Sequence, residues 1–369
     1  MKKSEKKLLV FIPSIEDGGV EKNLFLILNY LSKKIGKIDL ITYNKNSENK
    51  FNKKINLICP FFNFFKFNSR LCKYFFCIFV LIWKLLLNRN YLILSFQANI
   101  YVIIISKIFA VNVISRSNSS SSGWSKNFIK QLIFSYFFKR AKKIIVNSLD
   151  FKREMDKKYN INTTCILNPF KFSNIIQMSK KKTKKIFFKK DSIKLISVGR
   201  LTYQKDFITL LKAVDIVRNK KKVELIIIGK GLEKKKLENF IYNRKLEKYV
   251  KLIGYKSNPF KYIRQADIFI LTSLFEGSPN VLIEAISLKK YVISTNCPTG
   301  PREILSNGKY GSLVTVGDYK KIANIVINFK LDEIKKKKIK MAFKSLKNYE
   351  YNLNCKKYYE LVKKQISIN

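Results

Sequence analysis

Two carboxylates stand eight residues apart in Thr272-Ser-Leu-Phe-Glu276-Gly-Ser-Pro-Asn-Val-Leu-Ile-Glu284, separated by a Gly-Ser-Pro turn and the start of a helical pattern. With Pro279 favoured at the first helical position, Glu276 falls in a loop and Glu284 in the first two turns, so the two can meet different ends of one ligand. A carboxylate accepts two neighbouring hydroxyls well, and a ribose offers such a diol. The helix start between them, Gly277, Ser278, Pro279 and Asn280, presents backbone N–H groups suited to phosphate. Glu284 alone could simply complement a helix dipole, but that leaves Glu276 unexplained. Upstream, Gly199-Arg200 precedes Lys205 by a few residues, a spacing that suits a diphosphate, with Arg as a fork and Lys as a point charge. Gly229-Lys-Gly231 and Gly254-Tyr255 are either close-approach positions for a nucleotide or ordinary turns. The same two readings apply to Gly18-Gly19 before a leucine-rich helical stretch.

Other chemistry is excluded by composition. The 369 residues contain no histidine, which removes His general bases, Ser-His-Asp and Cys-His systems and His-ligated zinc. No Asp-x-Asp triplet is present as a metal-binding motif. The six cysteines show no CxxC spacing and read as free thiols in a reducing compartment. A net charge of +49 comes from 74 Lys and Arg against 25 Asp and Glu and is spread over both halves. Of the basic residues 64 are Lys, in a chain rich in Ile, Asn, Phe and Tyr, a pattern of coding bias combined with attraction to anionic lipid. A surface Lys gains ~1 kcal/mol at such a leaflet. Nucleic-acid modules usually bring more Arg, aromatic platforms or a motif, so nucleic acid is not the expected partner.

The elements that must position these residues are short β-branched runs separated by helix-length segments. Strands are expected at Leu8–Ile12, Ile38–Thr42, Tyr91–Ser95, Val111–Ser115, Lys143–Asn147 and Thr164–Leu167. After Asn168-Pro169 and a lysine-dense stretch the alternation resumes at Leu195–Val198, Glu224–Ile228, Val250–Ile253, Ile268–Thr272, Tyr291–Thr295 and Ser312–Thr315. Runs apolar on both faces mean parallel sheets covered by helices on both sides, hence two doubly wound α/β domains. In such sheets ligands bind beyond the strands' carboxyl ends, where every residue singled out above is expected. No apolar leader follows the N-terminal lysines. Tyr74 to Leu87 is the one membrane-like stretch, yet Lys73 and Lys84 enclose only ten residues, against about 20 needed to span. It is either a buried amphipathic helix or one that dips into a single leaflet.

Gly18-Gly19, Gly199-Arg200 with Lys205, Gly229-x-Gly231, Glu276-x7-Glu284 and Cys297-Pro-Thr-Gly-Pro-Arg302-Glu303-Ile304-Leu305 together resemble the retaining glycosyltransferases of family 4. The likeness is dense from Leu195 to about Asp318 and sparser before residue 172. It implies the GT-B fold, two Rossmann-like domains facing across a cleft: 1–172 binding the acceptor, 173–192 a linker, 193–350 binding the nucleotide-sugar donor, and 351–369 a helix packing back on the first domain. It further implies that Arg200 and Lys205 neutralise the donor diphosphate, Glu284 holds the ribose and Glu276 grips the donor sugar. Gly18 and Gly19 would close on the phosphate, and Gly254 and Tyr255 would lie near the base, with Gly199, Gly229 and the 277–280 turn completing the donor site. Many relatives carry a histidine in the first domain. Its place after the fourth strand is taken here by Ser115-Arg116-Ser117-Asn118, which leaves Arg116 or Asn118 for that contact on the acceptor side.

The resemblance implies retaining, metal-independent transfer of a hexose or N-acetylhexosamine from a nucleotide-sugar, expected to be UDP-linked. The acceptor would be a lipid-linked saccharide, lipopolysaccharide or capsule precursor, and the protein would be cytoplasmic and peripheral on the inner face of the cytoplasmic membrane. The same architecture also serves sugar-nucleotide epimerases and phosphorylases, and a non-catalytic basic binding protein would share the charge. Sugar, linkage and oligomeric state are not encoded in any of these motifs.

Overall fold

The computed structural model describes residues 6–16, 18–61, 69–118, 128–183 and 191–367. The chain divides into two units, Met1–Phe170 with Tyr349–Asn369, and Lys171–Asn348. Of the stretch expected to link the domains, residues 184–190 lie outside the described residues.

The first unit alternates β1 (Lys7–Phe11), α1 (Gly19–Ile35), β2 (Ile38–Ile41), β3 (Ile55–Ile58), α2 (Arg70–Leu87), β4 (Tyr91–Ser95), α3 (Asn99–Ile108), β5 (Asn112–Arg116), α4 (Phe128–Phe138), β6 (Lys143–Val146), α5 (Leu149–Tyr159) and β7 (Thr164–Cys165). Its seven strands are all parallel, in the order β3-β2-β1-β4-β5-β6-β7. Strand pleating sorts the side chains: Leu8, Val10 and Ile12 enter one helix-covered core while Leu9 and Phe11 enter the other. Helix α1 buries Leu24, Ile27, Leu28 and Leu31, an i, i+3, i+4, i+7 spacing that puts all four on one face, each contributing ~1.5–3 kcal/mol. Leu26 is only half-buried, one residue out of phase with that face. The strand not anticipated from the sequence is β3. It pairs only with β2, and its Ile-Asn-Leu-Ile run is broken by the exposed Asn56 and only half-buries Leu57 and Ile58, so it lacks the two-sided apolar signature of the inner strands.

The second unit runs α6 (Phe172–Ser179), β8 (Ile193–Val198), α7 (Phe207–Val217), β9 (Val223–Ile228), α8 (Lys234–Asn243), β10 (Val250–Leu252), α9 (Phe260–Ile263), β11 (Ile268–Leu271), α10 (Asn280–Ser287), β12 (Tyr291–Thr295), α11 (Pro301–Ile304), β13 (Ser312–Val314), α12 (Tyr319–Ile327) and α13 (Glu333–Ser345). Its six parallel strands stand in the order β10-β9-β8-β11-β12-β13. Both sheets therefore reverse their winding direction once, between β1 and β4 and between β8 and β11. Such reversal points open a crevice at the carboxyl ends of the two strands concerned.

The last helix, α14 (Tyr351–Ser367), returns to the first unit and packs on α1, with Cys355, Tyr358 and Val362 fully buried in the core that contains Leu8 and Val10. A buried arginine fixes it there. Arg116, at the end of β5 and with no exposed surface, donates from Nε to the Tyr358 hydroxyl at 2.8 Å and from Nη2 to Asn168 Oδ1 at 2.8 Å. Its Nη1 donates to Asn118 Oδ1, and the guanidinium lies over the Phe96 ring, 5.3 Å from its centroid. Every partner is neutral, so removing the guanidinium takes the donor from two buried acceptors and one half-buried one and leaves a cavity. Arg116→Met is expected to lower stability by about 3 kcal/mol and Tyr358→Phe by about 1, read from the urea midpoint of the first unit.

Candidate active site

The residues singled out in the second unit gather along one sheet edge. Gly254 follows β10, Gly229 follows β9, Gly199 and Lys205 follow β8, Glu276 follows β11 and Cys297 follows β12, so they line the carboxyl ends in the order of the strands themselves. Lys205 and Glu276 come from the two sides of the reversal point. The Lys205 ammonium meets Glu276 Oε1 at 2.5 Å, with both side chains close to nine-tenths buried. Ser273 Oγ donates to the same oxygen at 2.6 Å. Glu276 Oε2 has no hydrogen-bond partner among the described residues, which leaves one oxygen to accept from a ligand hydroxyl.

The loops that hold this pair are cross-braced by hydrogen bonds. Thr272 Oγ1 donates to the Lys205 carbonyl at 3.0 Å, Gln204 Nε2 to the Phe275 carbonyl at 2.8 Å, and the Leu274 N–H to the Gln204 carbonyl at 2.8 Å. On the other side the Glu276 N–H donates to the Pro298 carbonyl at 2.6 Å and the Thr299 N–H to the Glu276 carbonyl at 3.2 Å. A β carbon on Gly300 would stand 2.4 Å from the Gly277 carbonyl oxygen, so only glycine lets the 298–300 turn lie against the 277–279 loop. Ser273, Gln204 and Thr299 were not singled out from the sequence, although all three lie inside the motifs that were.

Helix α10 starts at Asn280 with Pro279 as its cap, one residue later than Pro at the first helical position would give. Ser278, Asn280 and Glu284 are buried, and Glu284 lies in the second turn, under a tenth exposed like Glu276. The glycines at the strand ends serve backbone approach. A β carbon on Gly229 would stand 1.8 Å from the Gly199 carbonyl oxygen, and Gly199 itself is covered by the Lys205 stem at 3.3 Å. Gly254 differs, with φ +70° and open space on its side-chain face. Tyr255 beside it is 44% exposed, and the Lys230 ammonium lies 5.1 Å from its ring centroid. Arg200 is exposed and makes no ion pair among the described residues.

In the first unit, Gly18 caps α1, and a β carbon there would meet the Glu21 carboxylate at 2.7 Å; Gly19 is the first residue of the helix. That carboxylate already complements the helix N-terminus expected to receive phosphate. Arg116 and Asn118, expected on the acceptor side, are spent on each other and on the bonds that hold α14. Asn118 Nδ2 also donates to the Phe96 carbonyl at 2.9 Å.

The family of glycosyl transferases group 1 matches residues 178–345, which contain every second-unit residue described above. Residues 178–345 belong to this family. A Campylobacter jejuni protein named as an N-acetylgalactosamine-diacetylbacillosaminyl-diphospho-undecaprenol N-acetylgalactosaminyltransferase is 28% identical to this glycosyltransferase over 84% of the chain and 86% of its own length. An uncharacterized glycosyltransferase of Methanocaldococcus jannaschii is 35% identical over 55% of the chain, which spans about half of that relative. A solved structure of an Anabaena protein in complex with UDP-glucose superposes with a TM-score of 0.76 at 18% identity, over 97% of this chain and all of that one. The fold of this glycosyltransferase is thus GT-B, with the C-terminal helix returning to the first unit as expected.

Burial pushes the Cys297 thiol up to about 12, and the Glu276 charge adds to the rise. In the unfolded chain it ionises near the ordinary 9.0, so its contribution to stability is full below pH 9 and is lost as pH climbs towards 12. Cys297 is expected to resist iodoacetamide at pH 8 until the protein is unfolded, as followed by mass spectrometry. Gly229→Ala should lower the melting midpoint far more than Gly254→Ala, because the first forces two backbones apart while the second costs only the left-handed strain of ~1–2 kcal/mol.

Proposed function

We propose that this glycosyltransferase moves a hexose or N-acetylhexosamine from a UDP-sugar to a lipid-linked saccharide, with retention of anomeric configuration. The observation that carries the reading is the Lys205–Glu276 pair at the reversal point of the second sheet, with Glu276 Oε2 still able to accept a sugar hydroxyl. The names of the Campylobacter relative and of an Erwinia amylovora amylovoran biosynthesis glycosyltransferase, 28% identical over 82% of the chain, support the acceptor class. The UDP-glucose in the Anabaena structure supports the donor.

In this reading residues 193–350 bind the donor and 1–172 the acceptor, with α14 completing the latter. The exposed Arg200 swings onto the diphosphate, Lys205 supplies a second positive charge and Glu284 receives the ribose diol. Gly199, Gly229, Gly254 and the 277–280 turn shape the floor, and Tyr255 sits by the base. The bond between the anomeric carbon and the diphosphate oxygen breaks with its electron pair going to that oxygen. The acceptor hydroxyl attacks from the same face, and its proton passes to the departing phosphate oxygen, so no histidine is needed. Cations beside the diphosphate stabilise its developing charge. Transfer then proceeds without a divalent metal at the membrane's inner face.

The test is transfer from radiolabelled UDP-sugars to a polyprenyl-diphosphate saccharide, with a chelator and without. The expected result is metal-independent product of retained configuration, reduced at least ~100-fold in Glu276→Ala. Release of an epimerised UDP-sugar without acceptor, or full transfer by Glu276→Ala, would overturn the reading. Lys205→Met leaves the Glu276 carboxylate nearly buried without its counter-charge and is expected to cost about 3 kcal/mol. Combining it with Glu276→Gln should restore the urea midpoint but not transfer, separating the pair's structural role from its chemical one.

A further inference from the structure

Helix α2 is apolar on two sides. Cys77, Leu81 and Leu85, four residues apart, are fully buried against the sheet. On the opposite side Leu71, Phe75, Phe79 and Trp83 repeat at the same interval and are 76, 68, 64 and 57% exposed. Neighbouring helices extend this surface: α3 packs beside α2 and exposes Ile108, and α4 packs beside α3 and exposes Tyr136. A row of large side chains in water over three adjacent helices exceeds the scattered apolar exposure of an ordinary surface.

The tract that builds this surface carries charge of one sign. Between Glu48 and Asp150 the chain has no acidic residue, while the same tract carries 16 Lys and Arg. Lys107 neighbours Ile108 at the end of α3, and Arg140 lies over the Tyr136 ring. Apolar side chains set among cations, in a tract that carries no acidic residue, complement a surface that is oily inside and anionic at its boundary. A second copy of the same face would bring cations against cations. The helix cannot cross a bilayer either: no helix among the described residues is long and apolar enough, and the inner side of α2 is committed to the core. An apolar face of about 18 Å length, held parallel to the protein surface, suits insertion to the depth of one headgroup layer.

We infer that the outer face of α2, continued by α3 and α4, is an interfacial docking surface that lies in one leaflet of an anionic lipid membrane. This names the surface that serves the lipid-linked acceptor of the proposed function. Vesicle binding requires neither donor nor transfer, so each idea can fail without the other.

The experiment is co-sedimentation of the full chain with vesicles of equal phosphatidylglycerol and phosphatidylcholine, beside phosphatidylcholine alone, at ~0.15 M and ~0.5 M salt. In parallel, Trp83 emission is recorded in a Trp124→Phe background, since the chain has two tryptophans. The expected result is binding to the anionic vesicles that partly survives the higher salt, with a blue shift of Trp83. Phe79→Ser with Trp83→Ser should weaken binding at least ~10-fold while the melting midpoint stays unchanged, because both side chains are exposed in the free protein. Three results would overturn the inference: no binding to anionic vesicles, binding that is lost at high salt and indifferent to the serine pair, or a lipid-free dimer in sedimentation velocity that the serine pair dissolves.

Discussion

In a wholly parallel sheet every strand ends on the same edge, and where the winding reverses, two neighbouring connections must leave in opposite directions. That constraint governs the second unit. The chain leaves β8 one way and β11 the other, and the gap is spanned by opposite charges, Lys205 from one side and Glu276 from the other. The remaining edge is built around the gap: Gly199 stays flat under the lysine stem, Gly229 stays flat against Gly199, and Gly300 lets the turn after β12 brace the glutamate loop. An ion pair so nearly buried adds little net stability, because desolvation offsets most of its attraction. Its value is geometric, in holding one carboxylate oxygen fixed and the other open.

The first unit meets the same constraint differently. Its reversal lies between β1 and β4, where Ser14 and Gln97 exchange hydrogen bonds, the Ser14 N–H to Gln97 Oε1 at 3.1 Å and Gln97 Nε2 to the Ser14 carbonyl at 2.9 Å. Neutral amides fill the place that charges occupy in the second unit. The buried charge at the end of β5, Arg116, is directed into α14. Polarity in this unit is thus divided between an edge lined by amides and a guanidinium used as a structural bolt.

Fold class was legible because inner parallel strands must be apolar on both faces, as Leu8–Phe11 and Leu225–Ile228 are. Strand β3 was not, because an edge strand with Asn56 in its middle has no such requirement. Glu276 and Glu284 could be picked out since two carboxylates around a Gly-Ser-Pro turn have no ordinary structural explanation. Arg116 misled for a physical reason: an arginine at a strand's carboxyl end looks the same in sequence whether it faces a ligand or a helix more than two hundred residues later. The Glu276 contact with Lys205 was invisible as well, for spacing of 71 residues carries no pattern.

The placement of α14 has a consequence for how the chain is made. The core of the first unit needs Cys355, Tyr358 and Val362, which are made only after all of the second unit, ending at Asn348, has been synthesised. At ~5–20 residues per second the N-terminal half waits on the order of tens of seconds for its final helix. Biogenesis therefore runs against the usual order, the later unit able to finish first while the earlier one keeps α1 uncovered until α14 has been made.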